Sequence, residues 1–234
     1  MPATPEVVTL DVWTVTPRAV PRAVWRMAAD RRAVQRLPGA QFGKLLGTGD
    51  GTTFTVRDAD PRHWAVLVAW DRLADAERYE TSRPVRAWQR FATERLQVRL
   101  APHGSRGRWS GREPFGPPRA RGGADVEGPI ASITRARLHP SRAAGFWRAV
   151  PPVAAELRTV PGLRCAMGIG EAPLGYQGTF SLWDSTGALE EFAHRREAHR
   201  NVMARTPREG WYVEELFARF RVLDVRGTLD GRTP

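Results

Sequence analysis

Five histidines, one cysteine and a scatter of carboxylates are the groups in these 234 residues that could do chemistry. The lone Cys165 excludes an internal disulfide and any cysteine-rich zinc or iron–sulfur site. No Ser-His-Asp, HExxH or paired-carboxylate spacing occurs. His103 and His139 fall in a linker and a turn, and His63 just ahead of an apolar strand. His194 and His199 share a helix expected over 186–205, but five positions separate them by about 140° of rotation. They therefore do not face one direction, and a two-histidine metal site is not expected. His199 carries Val202 and Met203 at i+3 and i+4 and so turns toward apolar surroundings. Two roles are open to such a residue: a satisfied histidine of the core, or a neutral imidazole serving as axial ligand to a haem iron. Glu190, Glu191 and Asp184 are explained by capping and by the helix N-terminal dipole.

The elements that must position this histidine are written twice. VVTLDVWTV (7–15) matches PIASITRAR (129–137), and the helix around Trp25 matches the one around Trp147. Each of these helices stops at a Pro-Gly pair, Pro38-Gly39 and Pro161-Gly162. Strands ending in Trp70-Asp71 and Trp183-Asp184 lead into second helices, with Asp71 and Asp184 expected as N-caps. RLQVRL (95–100) matches ARFRVL (218–223), and SGREP matches a similar glycine-containing tail. Each copy reads strand, helix, strand, strand, helix, strand, with the alternation of half-buried antiparallel strands.

A βαββαβ unit covers one sheet face with helices and leaves the other bare. The simplest burial of two bare faces is against each other. The expected architecture is therefore α+β: two fused ferredoxin-like βαββαβ repeats, 7–100 and 129–225, forming an intramolecular dimeric α/β barrel. A Gly/Pro/Arg-rich linker over 101–128 joins them. The spacing between copies is uneven, so copy one carries about ten extra residues in 47–64 and copy two about ten extra in TPREGWYVEEL (206–216), after an expected break at Thr206-Pro207. Surplus on a duplicated scaffold points to function. The GTGDG glycines of the first surplus lack the spacing of a dinucleotide fingerprint or a P-loop and suit a turn instead.

With 41% hydrophobic residues and 9 Trp the chain can bury a sizeable core. A net charge of +11, carried almost entirely by arginine, admits nucleic acid, an anionic membrane surface or an acidic protein as partner, or plain solvated faces. Nucleic acid is not expected, because the aromatic pattern of an RNA-binding sheet is absent and the barrel would bury that face. No secretory signal and no run of 18 apolar residues is present, so the expected location is cytoplasmic, with peripheral contact to the inner face of a membrane permitted by the charge.

FGKLLGTGDGTTFT (42–55), AVLVAWD (65–71), MGIGEAPLGYQGTFSLWD (167–184) and AHRNVMARTPREGWYVEELFARFRVL (198–223) together resemble the spheroidene monooxygenase family, the acyclic carotenoid ketolases and their bacterial relatives. The resemblance spans roughly 7–225 and implies a dimeric α/β-barrel fold and a haem-dependent oxygenase using O2 and external electrons. His199 falls on the family's histidine motif and would be the axial ligand of a b-type haem iron, with His194 as fallback. On that reading Val202 and Met203 pack on the porphyrin rim, and Trp211, Tyr212 and Phe217 wall the cofactor. The second ring nitrogen of His199 would be held by a backbone carbonyl or by Glu214 or Glu215. Lys44, Thr48 and Trp64 would stand on the opposite, catalytic face. The implied partners are a small hydrophobic substrate, O2 and an electron donor such as a ferredoxin. Two alternatives stay open: a redox-neutral haem enzyme, and a cofactor-free barrel that binds or isomerises a small apolar metabolite.

Overall fold

A computed structural model describes residues 4–117, 127–171 and 176–234. The first repeat runs β1 (Val7–Val15), α1 (Val20–Ala29), α2 (Arg31–Gln35), β2 (Ala40–Gly49), β3 (Ala59–Trp70), α3 (Leu73–Tyr79), α4 (Arg83–Gln89) and β4 (Ala92–Gly107). The second runs β5 (Ile130–Leu138), α5 (Ala143–Ala149), α6 (Pro151–Leu157), β6 (Leu163–Gly170), β7 (Tyr176–Trp183), α7 (Thr186–Glu190), α8 (Glu197–Glu209) and β8 (Tyr212–Gly227). All pairings are antiparallel, and the order β1-β3-β2-β6-β7-β5-β8-β4 closes into a barrel. Two fused ferredoxin-like repeats thus form one intramolecular α/β barrel, as the doubled pattern implies.

Alternation decides which face each strand residue takes. Val8, Leu10 and Val12 of β1 point inward and share one core with Ala131, Ile133, Phe180 and Phe220 of the second repeat. Because this core is common to both copies, neither repeat could bury its inner face alone. Outward residues meet the helices. In the first repeat they form one cluster around Trp13, Trp70 and Trp88, all about 1% exposed.

The two seams of the ring are unequal. β4 and β8 pair over Leu96–Gly107, whereas β2 and β6 pair only at Gly47↔Gly170, Thr48↔Ile169 and Gly49↔Gly168. Strand β4 therefore runs on to Gly107, and a tight hairpin bridged at Trp109↔Arg112 follows. The linker expected from residue 101 starts later than that, because the Gly-rich composition belongs to this hairpin. Its tip, Ser110-Gly111, has positive φ at both residues, as does Asp230-Gly231 at the end of the second copy. Both are the mirror-image turns that match strand twist. Each hairpin is capped by the other repeat. Glu214 accepts from the Ser110 and Gly111 amides at 3.0 and 2.7 Å, and Glu94 accepts from the Gly231 amide at 3.2 Å.

Several local expectations are corrected. These hairpins match Leu100 with Phe220, not with Leu223, which is 42% exposed. Asp71 and Asp184 are not the N-caps. Ser185 caps α7, while Asp71 and Asp184 instead accept from Gln41 and Arg164. The helix expected over 186–205 is interrupted by a π-helical turn at Glu191–Arg195 and by extended Arg196. The chain also does not break at Thr206-Pro207. Helix α8 continues to Glu209 and ends on left-handed Gly210, with the Thr206 hydroxyl donating to the Val202 carbonyl at 2.8 Å. The surplus of the second copy thus lengthens a helix and does not add a loop.

Candidate functional site

The outer layer of the second repeat is hollow. Ladder neighbours Asp11, Val66 and Leu45 of the first repeat correspond to Thr134, Thr179 and Gly168 of the second, and Trp13 corresponds to Ala136. Thr134 and Thr179 keep about the volume of Asp11 and Val66, but the loss of the Leu45 and Trp13 side chains beneath the helices leaves a cavity of about 580 Å³. This lies inside the range of small-molecule and cofactor sites, about 300–1,000 Å³. Thr134, Ala136, Gly168 and Thr179 floor it, and Phe146 of α5, Val150 between the helices, and Val153 and Leu157 of α6 wall it. The outer core, one cluster in the first repeat, is split here into two. The cavity reaches the β2–β6 seam, where Gly47, Thr48, Trp64 and the 51–60 segment of the first repeat complete it.

That segment is held by Asp58, which accepts from the Thr53 hydroxyl and the Phe54 amide at 2.6 Å each. Phe54 has φ of 52°, a left-handed conformation costly for a bulky residue, and its ring lines the cavity.

His199 lines the cavity from α8. The Glu156 carboxylate receives the Ala198 amide at 3.0 and 3.1 Å, anchoring the first turn of α8 on α6. The His199 ring lies 4.6 Å from that of Phe192, and its Nδ1 is 2.9 Å from the Ala193 carbonyl oxygen. A carbonyl only accepts, so Nδ1 carries the hydrogen and Nε2 keeps its lone pair. Burial lowers the pKa of His199, and the nearby His194 charge lowers it further. The Ala193 bond and Glu156 oppose this without reversing it. The imidazole is therefore neutral at physiological pH, in the tautomer a metal requires.

The other candidate residues divide. Val202, Tyr212, Thr48 and Trp64 line the cavity with His199. Burial pushes the Tyr212 phenol up to about 12, so it is a protonated donor. Thr48 donates its hydroxyl to the His63 carbonyl at 2.8 Å, and the Trp64 indole donates to the Pro61 carbonyl at 2.8 Å. Met203 does not line the cavity. It is 37% exposed, because α8 packs on the Ala136 and Phe146 cluster through its Val202 side. Trp211 is buried behind the wall, its ring 5.7 Å from Phe146. Phe217 sits on β8, on the side of β5 away from β7, and the Arg106 guanidinium covers it at 4.2 Å. Lys44 does not line it either. Its ammonium, 2.7 Å from the Ser110 hydroxyl, donates at 2.5 Å to Glu171, which does. Glu214 does not hold His199, being engaged by Arg135 and the first hairpin. His194 is exposed and outside the cavity.

Glu171 went unassigned in the sequence, although GIGEAP contains it. Burial would raise its pKa, but hydrogen bonds from Lys44 and the Trp109 indole, with the Lys44 and Arg135 charges, hold it below the usual carboxylate range. It is an ionised carboxylate on the cavity wall. Among the described residues no group of three or more His, Cys, Asp or Glu could hold a bare metal ion. A metal at His199 would take most of its ligands from outside these side chains. A neutral, oriented imidazole on an apolar cavity fits a haem.

No family model matches the chain. Among solved structures, an aldoxime dehydratase in complex with butyraldoxime aligns with TM-score 0.56 at 14% identity, covering 93% of this chain and 79% of that one, a likeness of fold alone. The spheroidene monooxygenase of Rubrivivax gelatinosus is 35% identical over 195 residues, 83% of this chain and 73% of the relative. That of Rhodobacter capsulatus is 35% identical over 217 residues, 92% of this chain and 89% of the relative. Identity of that extent, over most of both sequences, makes this chain a member of the spheroidene monooxygenase family.

Proposed function

We propose that the chain is a haem-dependent monooxygenase acting on a long apolar substrate of the carotenoid class, with b-type haem held by Nε2 of His199 in the cavity of the second repeat. The observation that carries this reading is the half-buried, neutral His199, fixed by the Ala193 carbonyl on the wall of a cavity its own fold leaves unfilled. When bound, haem supplies O2 activation, which no side chain here can perform. In the overall reaction one oxygen atom enters a substrate C–H bond and the other leaves as water. Two electrons come from an external donor such as a ferredoxin, and two protons from solvent.

The residues of the chain bind, orient and exclude water. Phe146, Val150 and Val202 give an apolar wall on the His199 side, and Trp211 backs it. Thr48 and Trp64 border the far side, with their polar atoms turned onto backbone carbonyls, so that face offers an apolar surface to a polyene. Tyr212 stays protonated, and Lys44 holds the ionised Glu171 carboxylate in place on the cavity wall, where Asp60 is a second carboxylate kept below its usual range. Lys44 is thus a positioning residue, acting through Glu171.

The test is spectroscopic. Protein expressed with haem supplied is expected to show a Soret band that His199→Ala loses and His194→Ala keeps. With a reductant, an acyclic carotenoid is expected to gain the mass of one oxygen atom. Protein that stays colourless after reconstitution sinks the haem reading.

A further inference from the structure

Helix α1 carries an apolar stripe on its outer side. Pro21, Val24, Trp25 and Ala28 recur at helical spacing and are all exposed, Trp25 at 61% and Val24 at 54%. A helix on a sheet needs one apolar stripe, facing inward. Helix α1 supplies it with Ala23, assisted by Val20 and Met27. The outer stripe is surplus to the fold. In the second repeat the matching Trp147 packs against the Ala136 and Phe146 cluster, so the scaffold does not require an exposed tryptophan here.

Charge surrounds the stripe. Arg18, Arg22, Arg31, Arg32 and Arg36 are exposed, and the single acid between residues 17 and 38, Asp30, is buried and paired with Arg26. Val24 and Met27 also line the cavity, so the stripe is continuous with the cavity mouth. Among the described residues no helix is long and apolar enough to cross a membrane.

We infer that α1 is a docking helix for an anionic lipid surface. Its exposed stripe enters the headgroup region, the flanking arginines pair with lipid phosphates, and the cavity mouth is set against the bilayer. Interfacial helices combine these same parts: an apolar face with Trp and a basic surround. The net charge of +11 adds long-range attraction. An acidic protein would answer the arginines but not the continuity of the stripe with an apolar cavity. Delivery of substrate from the bilayer rests on the monooxygenase reading, whereas the docking itself rests on α1 alone.

The full chain is to be sedimented with phosphatidylcholine vesicles, with and without phosphatidylglycerol. Wild type is expected to pellet with the mixed vesicles at low salt and to remain in the supernatant with phosphatidylcholine alone. Removing Arg31 and Arg32 as R31S/R32S is expected to weaken binding by about fivefold per charge. Trp25→Glu is expected to abolish binding with the thermal midpoint unchanged, since the ring lies on the surface. Wild type that ignores anionic vesicles, or Trp25→Glu that binds as before, overturns the proposal. So does Trp25-dependent retention on an immobilised acidic ferredoxin without vesicle binding. Vesicle binding without a Soret band would overturn the haem reading and leave the docking standing. A His199-dependent Soret band without vesicle binding would do the reverse.

Discussion

The two repeats share one backbone plan and put it to opposite uses. In the first, Trp13 lies 6.3 Å from Trp88 in a stacked arrangement beneath the helices. Fully buried Asp11 takes Arg95 and Gln97 at 2.8 and 2.9 Å, and Glu80 takes both at 2.6 Å. Rings and paired charges occupy the space beneath those helices. In the second, the same ladder positions carry Thr134, Thr179, Gly168 and Ala136, and the helices roof a cavity. The site is therefore made by subtraction. The first repeat supplies more of the burial that stabilises the barrel, and the second gives some of it up to leave a cavity.

That contrast can be broken from either side. The largest effect is expected from Ala136→Trp, which gives the second repeat the ring that fills the first. On the proposed haem reading it should abolish the Soret band of the reconstituted protein, with no loss in denaturant midpoint. Trp13→Ala, the reciprocal change, should cost about 3–5 kcal/mol in denaturant unfolding, because it empties a packed core. Next comes the hairpin exchange. Glu214→Ala removes a partner from Arg135, whose side chain is 3% exposed, and should cost about 3 kcal/mol. Glu94→Ala removes only a cap for a surface hairpin and should cost about 1 kcal/mol. The smallest effect is pH dependence from His199. Its pKa is lowered in the fold, so it contributes stability above its ordinary value of 6.5. That contribution is lost as pH falls below 6.5 and through the folded value. Cofactor-free wild type should therefore lose stability on mild acidification more steeply than His199→Gln, as followed by urea midpoints.

The barrel was legible because its markers occur twice. The two Trp-Asp strand ends, the two Pro-Gly stops and the strands around Trp13 and Ile133 need no tertiary information to be paired. The interruption at Glu191–Arg196 was not legible, since nothing in EFAHRR breaks a helix by composition. Pro207 misled because it sits in the last turn of α8, close to where the helix ends. Of the site, Thr48 and Trp64 followed from surplus residues, and His199, Val202 and Tyr212 from the helix face and the motif. Phe146, Val150, Val153 and Leu157 were missed because wall and core residues of a helix look alike in sequence. Their signal lay in the repeat comparison, where Trp13 becomes Ala136 and Leu45 becomes Gly168. Lys44, Met203, Trp211 and Phe217 lie near the site in the chain but not on its surface, since proximity along a strand or helix does not decide which neighbour covers a side chain.

The ring is closed by two unequal clasps, and its motion should follow the weaker. One clasp runs the length of β4 and β8, while the other is three residue pairs with glycine at Gly47, Gly49, Gly168 and Gly170. Amide deuterium uptake at 47–49 and 168–170 should therefore precede that at 96–107, because fewer bonds and no side-chain ladder hold the glycine clasp. Strands β2 and β6 both border the cavity. Breathing of the barrel is thus concentrated in the wall a long, rigid guest would have to pass, with the β4–β8 side acting as the hinge.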